Sequence, residues 1–274
     1  MATEKTIGDE IDKVIFKGGG TRLKESMGLA TPEESKPVKQ NEQEKEYWRK
    51  VRSSDEVSQT KNVTYEKVFE VFLQFAKQLC RTPFILDNEN EDLVKVLCLY
   101  FSKDKRFENY KFDDKIVNGE TIPNPVSIIN NGNPDLEKGI MIFGNYGFGK
   151  TFTMKVFKAM NIPGSRFSFH RANDIVMEYS KDGYAGLEKF LKGNCYYDDI
   201  GTEDKASHYE KGKELFKTII EYRYDQFLDH GKKTYLSSNL DPDEIAERYG
   251  DRIESRIHEM FNIIVVNGTD RRKQ

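Results

Sequence analysis

The chain has 274 residues, enough for one or two domains with a full hydrophobic core, and only three scattered cysteines, which excludes a disulfide-stapled miniprotein. Its 43 Lys+Arg against 46 Asp+Glu leave a formal charge of −3, so a polyanion would have to be met by a local patch and not by the surface as a whole. A mean hydropathy of −0.72, the lack of any run of about 18 apolar residues, and the polar character of residues 1–13 lead us to expect a cytoplasmic protein with neither a membrane span nor a secretory leader.

Residues 1–61 are polar and broken by Gly18, Gly19, Gly20, Pro32 and Pro37, and they hold too few apolar side chains to offset the entropy of ordering, which predicts a flexible N-terminal arm. Within it, residues 41–52 are helix-prone. Tyr47, Trp48 and Val51 fall there at helical spacing, as a docking helix or a transient solvated one. A helical lead-in is predicted over residues 62–83, where Val68, Phe69, Val71, Phe72, Phe75, Ala76 and Leu79 follow a helical rhythm that stops before Pro83. The main domain is predicted over residues 84–274. Its first helix starts after the Asp87-Asn88 capping region and carries Leu93, Val94, Val96, Leu97, Leu99, Tyr100 and Phe101.

From Gly139 onward, short apolar runs at 140–143, 167–170, 195–200, 234–237 and 263–266 alternate with helical segments such as 151–160 and 214–227. That alternation predicts an α/β fold with a parallel sheet covered by helices on both faces. Cys80, Cys98 and Cys195 read as reduced, buried thiols, and the four histidines have no metal-ligand spacing.

The run at 139–143 leads into Gly144, Asn145, Tyr146, Gly147, Phe148, Gly149, Lys150 and Thr151, a GxxxxGKT loop with a strand before it and a helix after it. Glycines let such a backbone wrap phosphates with its N–H groups pointing inward at a helix N-terminus. Lys150 would reach the β- and γ-phosphates, and the Thr151 hydroxyl would ligate Mg²⁺. A second strand ends in Asp198 and Asp199, where Asp198 would hold Mg²⁺ through water and Asp199 would polarise the attacking water. A third ends in Ser237-Ser238-Asn239, and Asn239 would orient that water or sense the γ-phosphate. No Asn-Lys-x-Asp guanine motif follows the loop, which points to ATP.

The set GNYGFGKT, YYDDIGTE, SSNL, GDRIESRI and GTDRR, spread over about residues 84–273, resembles the AAA+ ATPases of the DnaC/DnaI helicase-loader and IstB transposition-helper group. The resemblance implies a three-layer P-loop fold with a five-stranded parallel sheet, in which another strand lies between the loop strand and the acid-bearing strand. It implies ATP on residues 144–151, Mg²⁺ and water at Asp198 and Asp199, and Asn239 as the first sensor. Arg256 matches the arginine that one subunit offers to its neighbour, with Arg252 as the other candidate, and Arg272 or Arg271 matches the second sensor. Catalysis would then be slow without an oligomer or an ATPase partner. The implied partners are a replicative helicase or another DNA-processing protein, with single-stranded DNA.

There are departures from the family pattern. Asp199 stands where many relatives have a longer Glu, so Glu203 could substitute, and the chain stops soon after the sensor arginines, so a helical lid is not expected. Lys181, Lys189, Lys192, Lys205, Lys211 and Lys213, interleaved with Tyr179, Tyr184 and Tyr209, could meet DNA or could simply pair with neighbouring acids. Assembly on duplex DNA as a transposition helper, or ATP-gated binding with little turnover, are the alternative functions.

Overall fold

The computed structural model describes residues 63–80, 83–117, 119–130, 132–202 and 209–271, with only the backbone for 209–214. The predicted arm with Tyr47, Trp48 and Val51, as well as Glu203 and Arg272, lies outside these residues.

Helix α1 (Tyr65–Leu79) starts where the Thr64 hydroxyl accepts the Lys67 N–H, and it buries Val68, Phe72 and Ala76, one residue per turn. Helix α2 (Glu91–Phe101) follows a turn in which the Asp87 carboxylate accepts the backbone N–H groups of Glu89 and Asn90, at the capping region read from the sequence. Strands β1 (Lys115–Val117) and β2 (Glu120–Ile122) form an antiparallel hairpin, and β3 (Val126–Ile128) comes next. The alternating region then runs β4 (Gly139–Gly144), α3 (Lys150–Met160), β5 (Ser168–Arg171), α4 (Ala172–Asp182), the short α5 (Glu188–Leu191) and β6 (Cys195–Ile200). It continues through α6 (Tyr209–His230), β7 (Thr234–Ser238), α7 (Pro242–Tyr249), α8 (Asp251–Met260) and β8 (Phe261–Val266).

The sheet order is β3-β8-β4-β7-β6-β5. Strands β4 to β8 are parallel, as the five apolar runs predicted, and β7 lies between β4 and β6, as the resemblance implied. The sixth strand, β3, was not foreseen. It is only three residues long, it follows Pro123 and Pro125, and it pairs antiparallel with β8, so no apolar run marks it in the sequence.

Alternation along β4 sorts the two cores. Ile140 and Ile142 face a layer that includes α1, α2 and α3, whereas Met141 and Phe143 face α4, α6, α7 and α8. Both faces of the sheet are therefore covered, and each fully buried residue of this kind contributes about 1.5–3 kcal/mol. Helix α1 is keyed to the loop helix through aromatic rings, Phe72 and Phe157 having centroids 4.9 Å apart. At the N-terminal ends of β6 and β7, the edge opposite the glycine loop, the Arg223 guanidinium of α6 is buried against backbone carbonyls. None of the three cysteines is in a disulfide, and Cys98 and Cys195 are buried and Cys80 half-buried. Among the described residues, no helix is long and apolar enough to cross a membrane.

The hairpin region is tied to α2 through Asp92, which pairs with Lys115 and accepts hydrogen bonds from Tyr110 Oη at 2.6 Å and Asn124 Nδ2 at 2.8 Å. Burial works against ionisation of Asp92, but the hydrogen bonds from Lys115, Tyr110 and Asn124 outweigh it and hold the carboxyl below the ordinary carboxylate range. A lowered folded-state value gives stability that is present above the unfolded value and is lost as pH falls through the folded one. The urea midpoint should therefore fall on acidification below about pH 4, and Asp92→Asn should flatten that part of the profile. An unchanged slope in the variant would refute this assignment.

Candidate functional site

Strand β4 ends at Gly144, where φ is 147° and a Cβ would lie 2.1 Å from the carbonyl oxygen of Val266, so only glycine lets the two strands approach there. The loop then turns through Gly147 and Gly149, both with left-handed φ, and Gly149 caps α3 without a side chain over the helix N-terminus. The arrangement leaves the start of α3 open to an anion. Of the other loop residues, Tyr146 faces solvent at 60% exposure, whereas Phe148 is buried, its ring packed beneath Gly268.

Lys150 is 4% exposed. Its ammonium donates to the carbonyls of Gly144 (2.5 Å) and Asn145 (3.1 Å) and to Asn239 Oδ1 (2.8 Å), so it points back into the loop. The Asn239 amide in turn donates to Asp199 Oδ1 at 2.9 Å, and the Thr151 hydroxyl donates to Asp198 Oδ1 at 2.8 Å. The strand order explains this convergence. Asn239 follows β7, which sits between the loop strand and the acid strand, and so its amide can reach Lys150 on one side and Asp199 on the other.

Two consecutive strand residues normally face opposite sides of a sheet, which would separate Asp198 from Asp199. A bulge resolves this. The β6–β7 register jumps from Tyr197 opposite Leu236 to Ile200 opposite Ser238, leaving two acids opposite the single Ser237, and Asp199 adopts φ 58°. Asp198, 2% exposed, stays on the face of α3, while Asp199 turns toward Asn239. A left-handed conformation at a residue other than glycine costs about 1 kcal/mol or more, and strain of this kind clusters at functional sites.

Sequence reasoning missed two hydroxyls beneath the acids. Tyr196 Oη lies 2.7 Å from Asp198 Oδ1 and 2.8 Å from Ser237 Oγ, and Ser237 Oγ donates to Asp198 Oδ1 at 2.9 Å. Complete burial, and next the Asp198 charge, push the Tyr196 phenol well above its ordinary value, so it stays a proton donor. The signal was present in Tyr-x-Asp, since residues two apart share a strand face.

A second missed feature is the segment after β8. A Cβ on Gly147 would meet Asp270 Oδ1 at 1.7 Å, and the Arg271 N–H donates to the Gly147 carbonyl at 3.3 Å. Arg271 Nη2 is 2.5 Å from Asp87 Oδ1, while the Thr269 hydroxyl contacts Glu89. The tail thus crosses the glycine loop and is tied to the turn before α2. Arg271, one of the two second-sensor candidates, belongs to this strap.

Arg252 and Arg256 lie on α8, which packs against α6. Arg256 is 15% exposed, 3.0 Å from Glu221 in an ion pair whose angle falls short of a hydrogen bond, and it stacks on Tyr224 at 4.9 Å. Arg252 is 75% exposed, 3.4 Å from the same Glu221. Neither is bonded to the loop or the acid pair of its own chain. Among the proposed DNA contacts, Lys181, Lys189 and Lys192 pair with Asp182, Glu178 and Glu188, and Tyr179 packs edge-on against Tyr184. These described residues form a charge-balanced surface and not an open basic groove.

The donor set at Thr151 and Asp198 consists of oxygen atoms only, which suits a hard cation such as Mg²⁺, and the open helix start suits a phosphate. No family model matches the chain, and no curated protein does. Among solved structures, the chain is similar to DnaI at 17% identity, covering 66% of this chain and 88% of that one with a TM-score of 0.41. AMPPCP-bound DnaA from Aquifex aeolicus aligns at 18% identity over 67% of this chain and 48% of that one, with a TM-score of 0.39. A structure described as a DNA replication initiation factor aligns at 17% identity over 67% and 47%, with a TM-score of 0.42. The chain spans about half the length of these last two and most of the length of DnaI.

Proposed function

We propose that this protein is an AAA+-type P-loop ATPase that binds Mg²⁺ and ATP on residues 144–151 and acts in DNA replication by loading or remodelling a helicase. One observation carries the nucleotide site: Lys150 and Thr151 are hydrogen-bonded to Asn239 and Asp198, residues brought in from two other strands, at 2.8 Å each. Bound Mg²⁺ would neutralise phosphate charge, with Thr151 and Asp198 as its protein-side oxygens. Lys150 would exchange the neutral carbonyls of Gly144 and Asn145 for anionic phosphate oxygens. Asn239 would hold Asp199 where it can take the proton of an attacking water. Arg252, already exposed, could serve a neighbouring subunit directly, whereas Arg256 would first have to leave Glu221 and Tyr224. The helicase-loader role, with single-stranded DNA and homo-oligomerisation, draws its support from the set and order of the motifs.

A second reading, an ATP-gated adaptor with little turnover, is favoured by Asp199 being short and engaged with Asn239. Turnover of Asp199→Asn separates the two. Loss of the base should slow hydrolysis about 10²–10⁴-fold with ATP binding kept, whereas unchanged turnover would select the adaptor. Pull-down of a hexameric helicase in the presence of ATP and single-stranded DNA tests the loader role, and a filament on duplex DNA without helicase affinity would select the transposition role instead.

A further inference from the structure

We infer that Tyr196 and Ser237 are positioning residues for the acid pair, setting the Asp198 carboxylate for its cation and the Asp199 backbone for its turn; the inference rests on the nucleotide site proposed above. Ser237 is the one residue opposite the bulge. Its Oγ accepts the Asp199 N–H at 3.1 Å, which the bulge removes from the ladder, and donates to Asp198 Oδ1 at 2.9 Å. A single hydroxyl therefore links the main chain of one acid to the carboxylate of the other.

Tyr196 completes a triangle of oxygens with Asp198 Oδ1 and Ser237 Oγ, at 2.7 and 2.8 Å. Two hydroxyl protons serve three contacts, and the carboxylate draws at least one of them. With the Thr151 hydroxyl at 2.8 Å on the same Oδ1, the rotation of the Asp198 carboxylate is stopped. Packing alone does not call for these groups. Tyr196 and Ser237 are fully buried, and a Phe and an Ala would fill the same space without taking hydroxyls out of water. Outer-shell partners of this kind typically govern metal affinity by 10–100-fold.

The test uses the full chain, with a fluorescent ATP analogue titrated at a series of free Mg²⁺ concentrations and again in EDTA. Tyr196→Phe and Ser237→Ala should each raise the Mg²⁺ concentration for half-maximal binding by about 10-fold or more. Binding in EDTA should be unchanged, and Ser237→Thr should restore the original midpoint. A wild-type Mg²⁺ midpoint in Tyr196→Phe, even with a lowered melting temperature, would show a merely structural role and overturn the inference. An equal loss of binding in EDTA would do the same. Should Ser237→Ala fail to fold, Tyr196→Phe, which keeps its ring, decides alone. If the unsubstituted chain binds no nucleotide, the proposed function fails and this inference with it, whereas Mg²⁺-dependent binding with unshifted variants removes the inference only.

Discussion

Lys150→Ala should abolish measurable ATP binding and cut any turnover by at least about 10²–10³-fold, the range seen when one preorganised charge-stabilising group is removed from an active site. The side chain is almost fully buried and aimed into its own loop, where it donates to the carbonyls of Gly144 and Asn145 and to Asn239 Oδ1. There it stands beside the open start of its own helix, where an anion would sit. Stability should fall as well, by up to about 1–3 kcal/mol for each buried acceptor that loses the ammonium. Calorimetric titration with ATP, alongside a thermal melt, separates the two effects. Stoichiometric ATP binding by the variant would sink the nucleotide-site assignment.

Arg223→Met should destabilise the fold by about 3–5 kcal/mol, because it leaves several buried neutral acceptors without a donor. Arg223 is 1% exposed, and its guanidinium donates to Thr234 Oγ1 at 2.7 Å and to the carbonyls of Leu191, Gly193 and Lys233 at 2.9 Å each. These carbonyls belong to the segments that lead into β6 and β7. Methionine fills much of the space but donates nothing, and each orphaned buried acceptor costs about 1–3 kcal/mol. The acid pair and Asn239 lie at the far ends of the same two strands. Molecules of the variant that fold should therefore bind ATP with wild-type affinity, while the urea midpoint falls sharply. A loss below about 1 kcal/mol would mean that water replaces the guanidinium at those carbonyls.

The parts legible in the sequence are those whose chemistry is local. The GxxxxGKT spacing, with an apolar run before it and a helix after it, located the loop, because the demand for left-handed backbone at Gly147 and Gly149 and for an uncapped helix start is met within eight residues. The five apolar runs became five parallel strands, of which β4, β6, β7 and β8 are buried along nearly their whole length and so favour apolar residues on both faces, whereas the edge strand β5 is only half-buried. Strand β3 escaped because an edge strand of three residues, buried at Val126 alone, needs no such run. The role of Tyr196 escaped because it reads as an ordinary strand residue, and Ser237 reads only as part of the polar triplet until its neighbours across the bulge are known.

The residue types and their spacing therefore determined the glycine loop, the acid pair, the polar triplet at Asn239 and the class of fold. Which of these groups touch was decided by tertiary structure. Placing β7 between β4 and β6 sets Asn239 between Lys150 and Asp199, the bulge turns two adjacent acids to different partners, and the tail after β8 crosses the loop to reach Asp87. The physical reason is that local backbone preferences act over a few residues. These contacts join groups up to 184 positions apart, and only the packing of the whole sheet brings them within hydrogen-bonding distance.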